Sequence, residues 1–225
     1  MTAPLLQARH LSKSYVLGGN HKVHALRDAS MELQQGSWLA ITGPSGSGKS
    51  TLLALLAGLD RPTSGEVFLD GTNISQANDV RLARYRKEKI GIIFQEYQLF
   101  EELSSLENVA MPLVVTAMTA KQRHAKAQAL LETVGMAERA THLPRQLSGG
   151  ERQRVAVARA LVHDPEIIFA DEPTSNIDQK AADLVMDLFH SFKQSGKSLI
   201  VVSHSKQLSM AADTRIQMES GRIVQ

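Results

Sequence analysis

Gly43-Pro44-Ser45-Gly46-Ser47-Gly48-Lys49-Ser50-Thr51 is the stretch that decides how the rest of the chain reads. It satisfies G-x-x-x-x-G-K-[ST], with Gly43, Gly48, Lys49 and Ser50 at the fixed positions. Trp38-Leu39-Ala40-Ile41 before it reads as a buried strand, and Leu52-Leu53-Ala54-Leu55-Leu56-Ala57 after it as a buried helix. That strand–loop–helix setting is the one the motif needs. Glycines let successive backbone N–H groups turn inward around phosphate oxygens. The helix N-terminus adds roughly half a positive charge. Lys49 is placed to reach β- and γ-phosphates, and the Ser50 hydroxyl suits Mg²⁺. The plainer reading is a Gly/Ser-rich turn between strand and helix, and it loses ground as further motifs accumulate downstream.

Working outward, Leu5 to Ile41 reads as several strands, punctuated at Gly18-Gly19-Asn20 and Gln35-Gly36. Gly65-Glu66-Val67-Phe68-Leu69-Asp70-Gly71 is another β piece. Asp79 to Lys89 is helical and basic, and reads as a solvated face rather than a nucleic-acid or lipid patch. Ile90 to Phe94 is a buried strand ending at Gln95. Ser105–Val115 and Thr119–Val134 carry apolar residues at helical spacing, with Thr119 as N-cap and Gly135 as stop. A helix is expected from Arg152 to about Val162. Ile167-Ile168-Phe169-Ala170 is a buried strand finishing in Asp171-Glu172. A helix from Gln179 to Ser195 follows, then a buried strand, Leu199 to Val202, ending at His204. Arg215–Met218 and Arg222–Val224 around Gly221 read as a final hairpin. Strands alternating with helices predict an α/β fold with a largely parallel sheet. In such a sheet Asp171 and Glu172 fall on the carboxyl edge, where the phosphate loop also opens. Asp171 suits a Mg²⁺ ion, and Glu172, one residue on, suits an attacking water.

The 225 residues support one large domain, or one domain with a subdomain. Hydrophobic residues make up 43% and charged residues 21%, an ordinary globular balance. The net charge of +2 does not argue for a nucleic-acid partner. The chain has no cysteine, so no disulfide framework and no thiolate metal site. Met1-Thr2-Ala3-Pro4 does not begin a secretion signal. No apolar run reaches the ~20 residues of a membrane span, so action at a membrane would go through a partner.

With these segments in hand, the chain resembles the nucleotide-binding subunit of an ATP-binding cassette (ABC) transporter, along essentially its whole length. Gly43–Thr51 matches Walker A, and Gln95 the Q-loop. Leu147-Ser148-Gly149-Gly150-Glu151 matches the signature motif, with Glu151 where Gln is commoner. Ile167–Glu172 matches Walker B with its catalytic glutamate. Ser175-Asn176-Ile177-Asp178 matches the D-loop, His204 the switch histidine and Tyr15 the adenine-stacking aromatic. Asn176-Ile177 departs from the commonest D-loop wording, and Ser205 stands where an aspartate is common. Phe94 to Phe100 and Leu106-Glu107-Asn108-Val109 resemble the lipoprotein-releasing and macrolide-exporter branch, which includes a cell-division homologue.

The resemblance implies a P-loop NTPase core with an antiparallel β subdomain and an inserted helical subdomain. Residues 1–95 and 146–225 would form the core and 96–145 the helical part, with no appended regulatory domain. It implies ATP and Mg²⁺ as cofactors. Glu172, His204 and Gln95 would be catalytic, and Ser50, Gln95 and Asp171 would hold metal. Tyr15, Gly43, Pro44, Ser45, Gly46, Ser47, Gly48, Lys49, Ser50 and Thr51 would bind nucleotide, joined by Ser148, Gly149, Gly150 and Asp178. It further implies a head-to-tail homodimer with ATP between Walker A of one copy and Ser148-Gly149-Gly150 of the other. Membrane permease subunits would dock in a groove around Gln95 to Leu106, at the cytoplasmic face of the inner membrane, and no nucleic acid is expected. Two rival readings are weighed beside this one. A soluble cassette ATPase acting on DNA or ribosomes usually fuses two cassettes or carries long coiled coils, which do not fit 225 residues. A module that binds nucleotide without hydrolysis is opposed by Glu172 and His204.

Overall fold

The computed structural model describes residues 3–18 and 21–224; Gly19 and Asn20 of the expected break after Gly18, with Met1 and Thr2, lie outside the described residues. The chain opens with two long strands, β1 (Leu6–Leu17) and β2 (His21–Leu33), then β3 (Trp38–Thr42) and helix α1 (Lys49–Leu56). Next come β4 (Ser64–Leu69), β5 (Thr72–Asn73), α2 (Asp79–Lys89) and β6 (Ile90–Ile93). A helical run holds α3 (Ser105–Ala110), α4 (Ala120–Thr133) and α5 (Gly149–Ala160). The chain then alternates through β7 (Ile167–Asp171), α6 (Gln179–Gln194), β8 (Ser198–Val202), α7 (Lys206–Ala211), β9 (Thr214–Glu219) and β10 (Arg222–Ile223).

Two sheets result. β2-β1-β4-β5 is antiparallel, whereas β10-β9-β3-β8-β7-β6 is parallel except at its β10 edge. Strands buried on both faces need apolar side chains throughout, and the period-2 pleat deals them to opposite sides. Leu39, Ile41, Ile167, Phe169, Ile200 and Val202 enter one core, together with α1 and the antiparallel sheet. Trp38, Ile168, Ala170, Leu199 and Val201 enter the other, together with α3, α4, α5 and α6. In that second core the Trp38 ring meets Phe189 of α6 edge-on, with centroids 5.9 Å apart.

Local chemistry sets the helix starts. Asn78 caps α2 by accepting from the Arg81 N–H at 2.9 Å. Ser104 with Glu107 and Thr119 with Gln122 form reciprocal capping boxes on α3 and α4. Gly135 follows α4 at φ 68°, the left-handed position where glycine carries no Cβ penalty.

Three sequence expectations are corrected. The helix expected from Arg152 begins at Gly149, because Ser148 supplies the N-cap. The stretch to Val115 stays α-helical only to Ala110 and tightens into a 3₁₀ turn over Met111–Val115, where Pro112 has no N–H to continue the ladder. Phe94 lies beyond β6, which stops at Ile93. The short α7 after His204 carried no strong periodicity and was not expected.

Gly91 marks the tightest packing of the sheet edge. A Cβ there would sit 2.6 Å from the Ala160 carbonyl oxygen and 3.0 Å from Pro165 Cγ. Neither neighbour can yield easily, since one is backbone and the other a ring. Gly91→Ala is therefore expected to destabilise the fold by about 1–3 kcal/mol. A urea melt that leaves the midpoint where it was would show that β6 and the end of α5 separate freely.

Candidate functional site

Strand order does most of the work of building the site. β3, β8, β7 and β6 are parallel neighbours, so their carboxyl ends form one row. From that row emerge the Gly43–Thr51 loop, His204, Asp171-Glu172 and Gln95. These segments are far apart in sequence, and the sheet brings them to one cleft of about 560 Å³. Ser45, Gly46, Gly48, Lys49, Ser50 and Thr51 form one wall, and Gln95, Glu172 and His204 face them.

The loop's shape requires its glycines. Gly43 has φ 142°, and a Cβ there would lie 2.2 Å from the Met218 carbonyl oxygen. Gly48, at φ 99°, would put one 2.3 Å from the Ala25 carbonyl oxygen. Lys49 is buried, and its Nζ donates to the Gly43 and Pro44 carbonyls at 2.9 and 3.0 Å. This curls the loop around the ammonium and keeps its charge at the centre of the cradle. Gly43 and Pro44 themselves line an adjoining hollow with His204, Lys206 and Arg215.

The two carboxylates differ in setting. Burial raises the Asp171 pKa, against the lowering pull of the Ser50 hydroxyl and the Lys49 ammonium. Its Oδ1 is buried with no hydrogen-bond partner. A buried unsatisfied carboxylate oxygen beside a hydroxyl is costly for folding alone and fits a hard divalent cation, which prefers oxygen ligands. Glu172 sits at φ 46°, a left-handed conformation that costs a non-glycine residue of order 1 kcal/mol. The twist turns its side chain toward His204: the His204 N–H donates to Oε2 at 3.2 Å, and His204 Nε2 lies 3.3 Å from Oε1. The second contact is within ion-pairing distance but lacks hydrogen-bond alignment, so Oε1 keeps a free lone pair.

Ser148, Gly149 and Gly150 do not line this cleft. The Ser148 hydroxyl accepts from the Glu151 N–H at 3.3 Å, and the Glu151 carboxylate accepts from the Ser148 N–H at 2.8 Å. Glu151 is thus the far half of a capping box. The pairing holds its carboxyl below the usual range, chiefly through the backbone N–H of Ser148. A Cβ on Gly150 would lie 2.4 Å from the Ala181 Cβ, so glycine lets α5 press against α6. Asp178 also stands apart from the cleft, its carboxylate capping α6 through the Ala181 N–H at 2.9 Å. Tyr15 is absent from the cleft wall too; its hydroxyl donates to Asp60 at 2.9 Å.

The cleft includes residues that the sequence did not single out. Val23, His24 and Ala25 of β2 line it, because antiparallel pairing sets Val23 opposite Tyr15 and His24 opposite Ser14. The sequence marks strands and a break in this region, but not the register in which they pair. A second concavity, about 810 Å³, runs past Phe94, Gln98 and Phe100 to Val115, rimmed by Arg84 and Lys87. At its edge Arg159 donates to the Tyr97 and Gln98 carbonyls, two residues that both have positive φ. Tyr97 in turn donates to the Asn176 carbonyl at 3.1 Å, and Asn176 Nδ2 donates to the Gln95 carbonyl at 3.2 Å. The concavity and the cleft are therefore wired together through backbone carbonyls.

Comparisons with known proteins agree with this layout. The model of the family described as ABC transporter matches residues 26–175. An uncharacterized ABC transporter ATP-binding protein of Thermotoga maritima is 47% identical over 91% of this chain and 88% of its own length. The macrolide export ATP-binding/permease protein MacB of Hyphomonas neptunium is 41% identical over all of this chain, which spans 35% of that protein. Among solved structures, a dimeric post-hydrolysis state of the ATP-binding cassette MJ0796 bound to ADP and Pi matches with TM-score 0.92 at 36% identity. That match covers 98% of this chain and 97% of the other.

The α5 capping box makes a pH-dependent contribution to stability with a definite sign. A carboxyl whose pKa is lowered by folding stabilises above its unfolded pKa and loses that stabilisation as pH falls through its native value. Glu151→Gln keeps the box geometry and removes the charge, so its stability should fall less steeply than wild type below about pH 4.3. Equal acid slopes in urea melts of the two proteins would remove the charge from the account of this helix terminus.

Proposed function

The chain belongs to the ABC transporter ATP-binding family, and from that premise we propose how the cleft binds ATP, hydrolyses it and passes the work on. It is an ATP-binding, ATP-hydrolysing subunit. One observation carries the assignment of roles: at the end of β7 the buried Asp171 lies beside Ser50 and Lys49, while Glu172 lines the cleft with His204 3.3 Å away.

Loop N–H groups and Lys49 hold the β- and γ-phosphates, and the α1 N-terminus adds its partial positive charge. Ser50, Asp171 and Gln95 would hold Mg²⁺, which neutralises phosphate charge when bound. Glu172 accepts the proton of the attacking water through its carboxylate. The water oxygen bonds to the γ-phosphorus as the bond to the leaving oxygen breaks, giving ADP and inorganic phosphate. His204 steadies Glu172 from the adjoining strand end and reaches toward the γ-phosphate. Tyr15 stacks on the adenine.

A single copy lacks part of this site. Ser148, Gly149 and Gly150, at the N-terminus of α5, do not line the cleft of their own copy, and neither does Asp178, which caps α6. A head-to-tail homodimer would bring the Ser148 turn of one copy to the γ-phosphate held by the other. The dimeric state of the solved cassette supports this reading. Permease subunits would dock in the concavity beside Gln95 to Leu106, where Phe100 and Val115 are exposed. Among the described residues no helix is long and apolar enough to cross a membrane, which suits a subunit held peripherally, at the cytoplasmic face, by that contact. Action on DNA or ribosomes is disfavoured, since the matched family and relatives are transporter ATP-binding proteins.

Glu172→Gln should bind ATP and lose turnover by ~10²–10⁴-fold, the usual cost of removing a general base. The ATP-bound dimer should accumulate and be visible by its mass. Turnover within about threefold of wild type would overturn the role given to Glu172.

Ser148→Arg separates binding from closure. The variant should titrate ATP normally through its own loop but fail to form the ATP-dependent dimer, because the arginine would occupy the partner's γ-phosphate position. Loss of the N-cap also costs about 1 kcal/mol, so a thermal melt is run alongside. Normal ATP-driven dimerisation of a folded variant would end the head-to-tail proposal.

A further inference from the structure

β1 brings Lys13 and Tyr15 to the same side of the strand, two residues apart, where the loop after α1 meets them at Asp60. The contacts form one connected cluster. Lys13 Nζ donates to Asp60 Oδ1 at 2.7 Å and to the Arg61 carbonyl at 2.7 Å. The Tyr15 hydroxyl donates to the other carboxylate oxygen, Oδ2, at 2.9 Å. The Lys13 ammonium stands 5.0 Å from the centroid of the Tyr15 ring, a cation–π contact. Thr51, at the end of the phosphate loop, places its hydroxyl beside that of Tyr15. The Lys13 side chain is 13% exposed and that of Asp60 32%, whereas Tyr15 is 37% exposed. The ring is therefore partly presented to solvent, backed by a lysine that is largely covered.

Fixing an aromatic ring in this way has a purpose only if something must meet it in one orientation. A free tyrosine on a strand samples its rotamers, and ordering it on binding subtracts from affinity. Here the carboxylate fixes the hydroxyl end, and the ammonium occupies one face of the ring. The other face remains for a flat, uncharged partner.

We propose that Asp60 is a positioning residue for nucleotide recognition, holding Tyr15, with Lys13 on its rear face, as a one-sided platform for the base. The proposal rests on the reading of Tyr15 as the adenine-stacking residue and extends it to two residues outside the cleft wall. Asp60 does not touch nucleotide. It acts through Tyr15, so its loss should weaken recognition of the base and leave recognition of the phosphates intact.

Inorganic tripolyphosphate, which has the phosphates and no base, separates the two. Affinities for ATP and for tripolyphosphate are measured on the full chain, as wild type, Tyr15→Ala, Tyr15→Phe, Asp60→Ala and Asp60→Asn. Tyr15→Ala should lose roughly tenfold or more in ATP affinity, as stacking of a base on an aromatic side chain predicts. Asp60→Ala and Tyr15→Phe should each lose roughly three- to tenfold, the ordering cost of one side chain. Adding Asp60→Ala to Tyr15→Ala should cost nothing more, since the residue it supports is gone. Tripolyphosphate affinity should stay within about twofold throughout. If Tyr15→Ala binds ATP normally, the stacking reading fails and the proposal with it. If Tyr15→Ala weakens ATP while Asp60→Ala does not, the stacking reading stands and the role of Asp60 is overturned. Equal losses for ATP and tripolyphosphate in the Asp60 variants would reduce Asp60 to a fold-stabilising residue and also overturn the proposal. Asp60→Asn, whose amide keeps an oxygen for the tyrosine hydroxyl, should retain more ATP affinity than Asp60→Ala, a rescue that a merely structural role tied to the carboxylate charge would not give.

Discussion

Backbone hydrogen bonding between β3, β8, β7 and β6 is the interaction on which everything else depends. Trp38 pairs with Leu199, Ile167 with Ser198 and Ile90 with Ile167, and each ladder runs in register toward the carboxyl edge. A shift of one residue in any ladder would exchange the side chains facing the two cores. It would also draw one of the four site segments about 3.3 Å out of line. The packing of Leu39, Ile41, Phe169 and Ile200 on one side and of Trp38, Ile168 and Val201 on the other makes such a slip expensive. Chemistry at the cleft is thus held in place by apolar side chains that never touch it.

The sequence was most legible where one constraint acts alone. A phosphate loop has few solutions, so its glycines, Lys49 and Ser50 could be read directly. Apolar strands ending in Asp171-Glu172 and His204 could be read because a parallel sheet makes strand ends converge. Where two elements must agree, the sequence was mute. The register of β1 against β2, which carries Val23 and His24 into the cleft, depends on a turn whose geometry the residue types leave open. The contact of Tyr15 with Asp60 joins positions 45 residues apart, and nothing local announces it. The start of α5 was placed three residues late because the signature glycines look like loop residues, although a serine before them and a glutamate three residues on make a capping box.

Glycine at Gly149 and Gly150 then has two reasons that pull the same way. One is close approach: Ala181 blocks a Cβ at Gly150, while the Asn176 carbonyl and the Tyr97 hydroxyl crowd one at Gly149. The other is that a bare backbone leaves the helix N-terminus open to an anion from outside the chain. The neighbours that crowd Gly149 belong to the loop after Glu172 and to the loop after β6. Any shift of the concavity near Phe100 that moves Tyr97 is therefore felt at the signature turn and at Asn176 together.

Glu172 stands where the backbone alone would prefer glycine or asparagine. The left-handed twist that turns it toward His204 is a local debt that the rest of the sheet must carry. Selection for stability alone, in a laboratory or over generations, would drift away from glutamate at this position. On the role proposed for Glu172, only selection for turnover would hold the residue there. A cassette released from its ATPase duty would be expected to lose this carboxylate early, and to become a firmer fold as it did so.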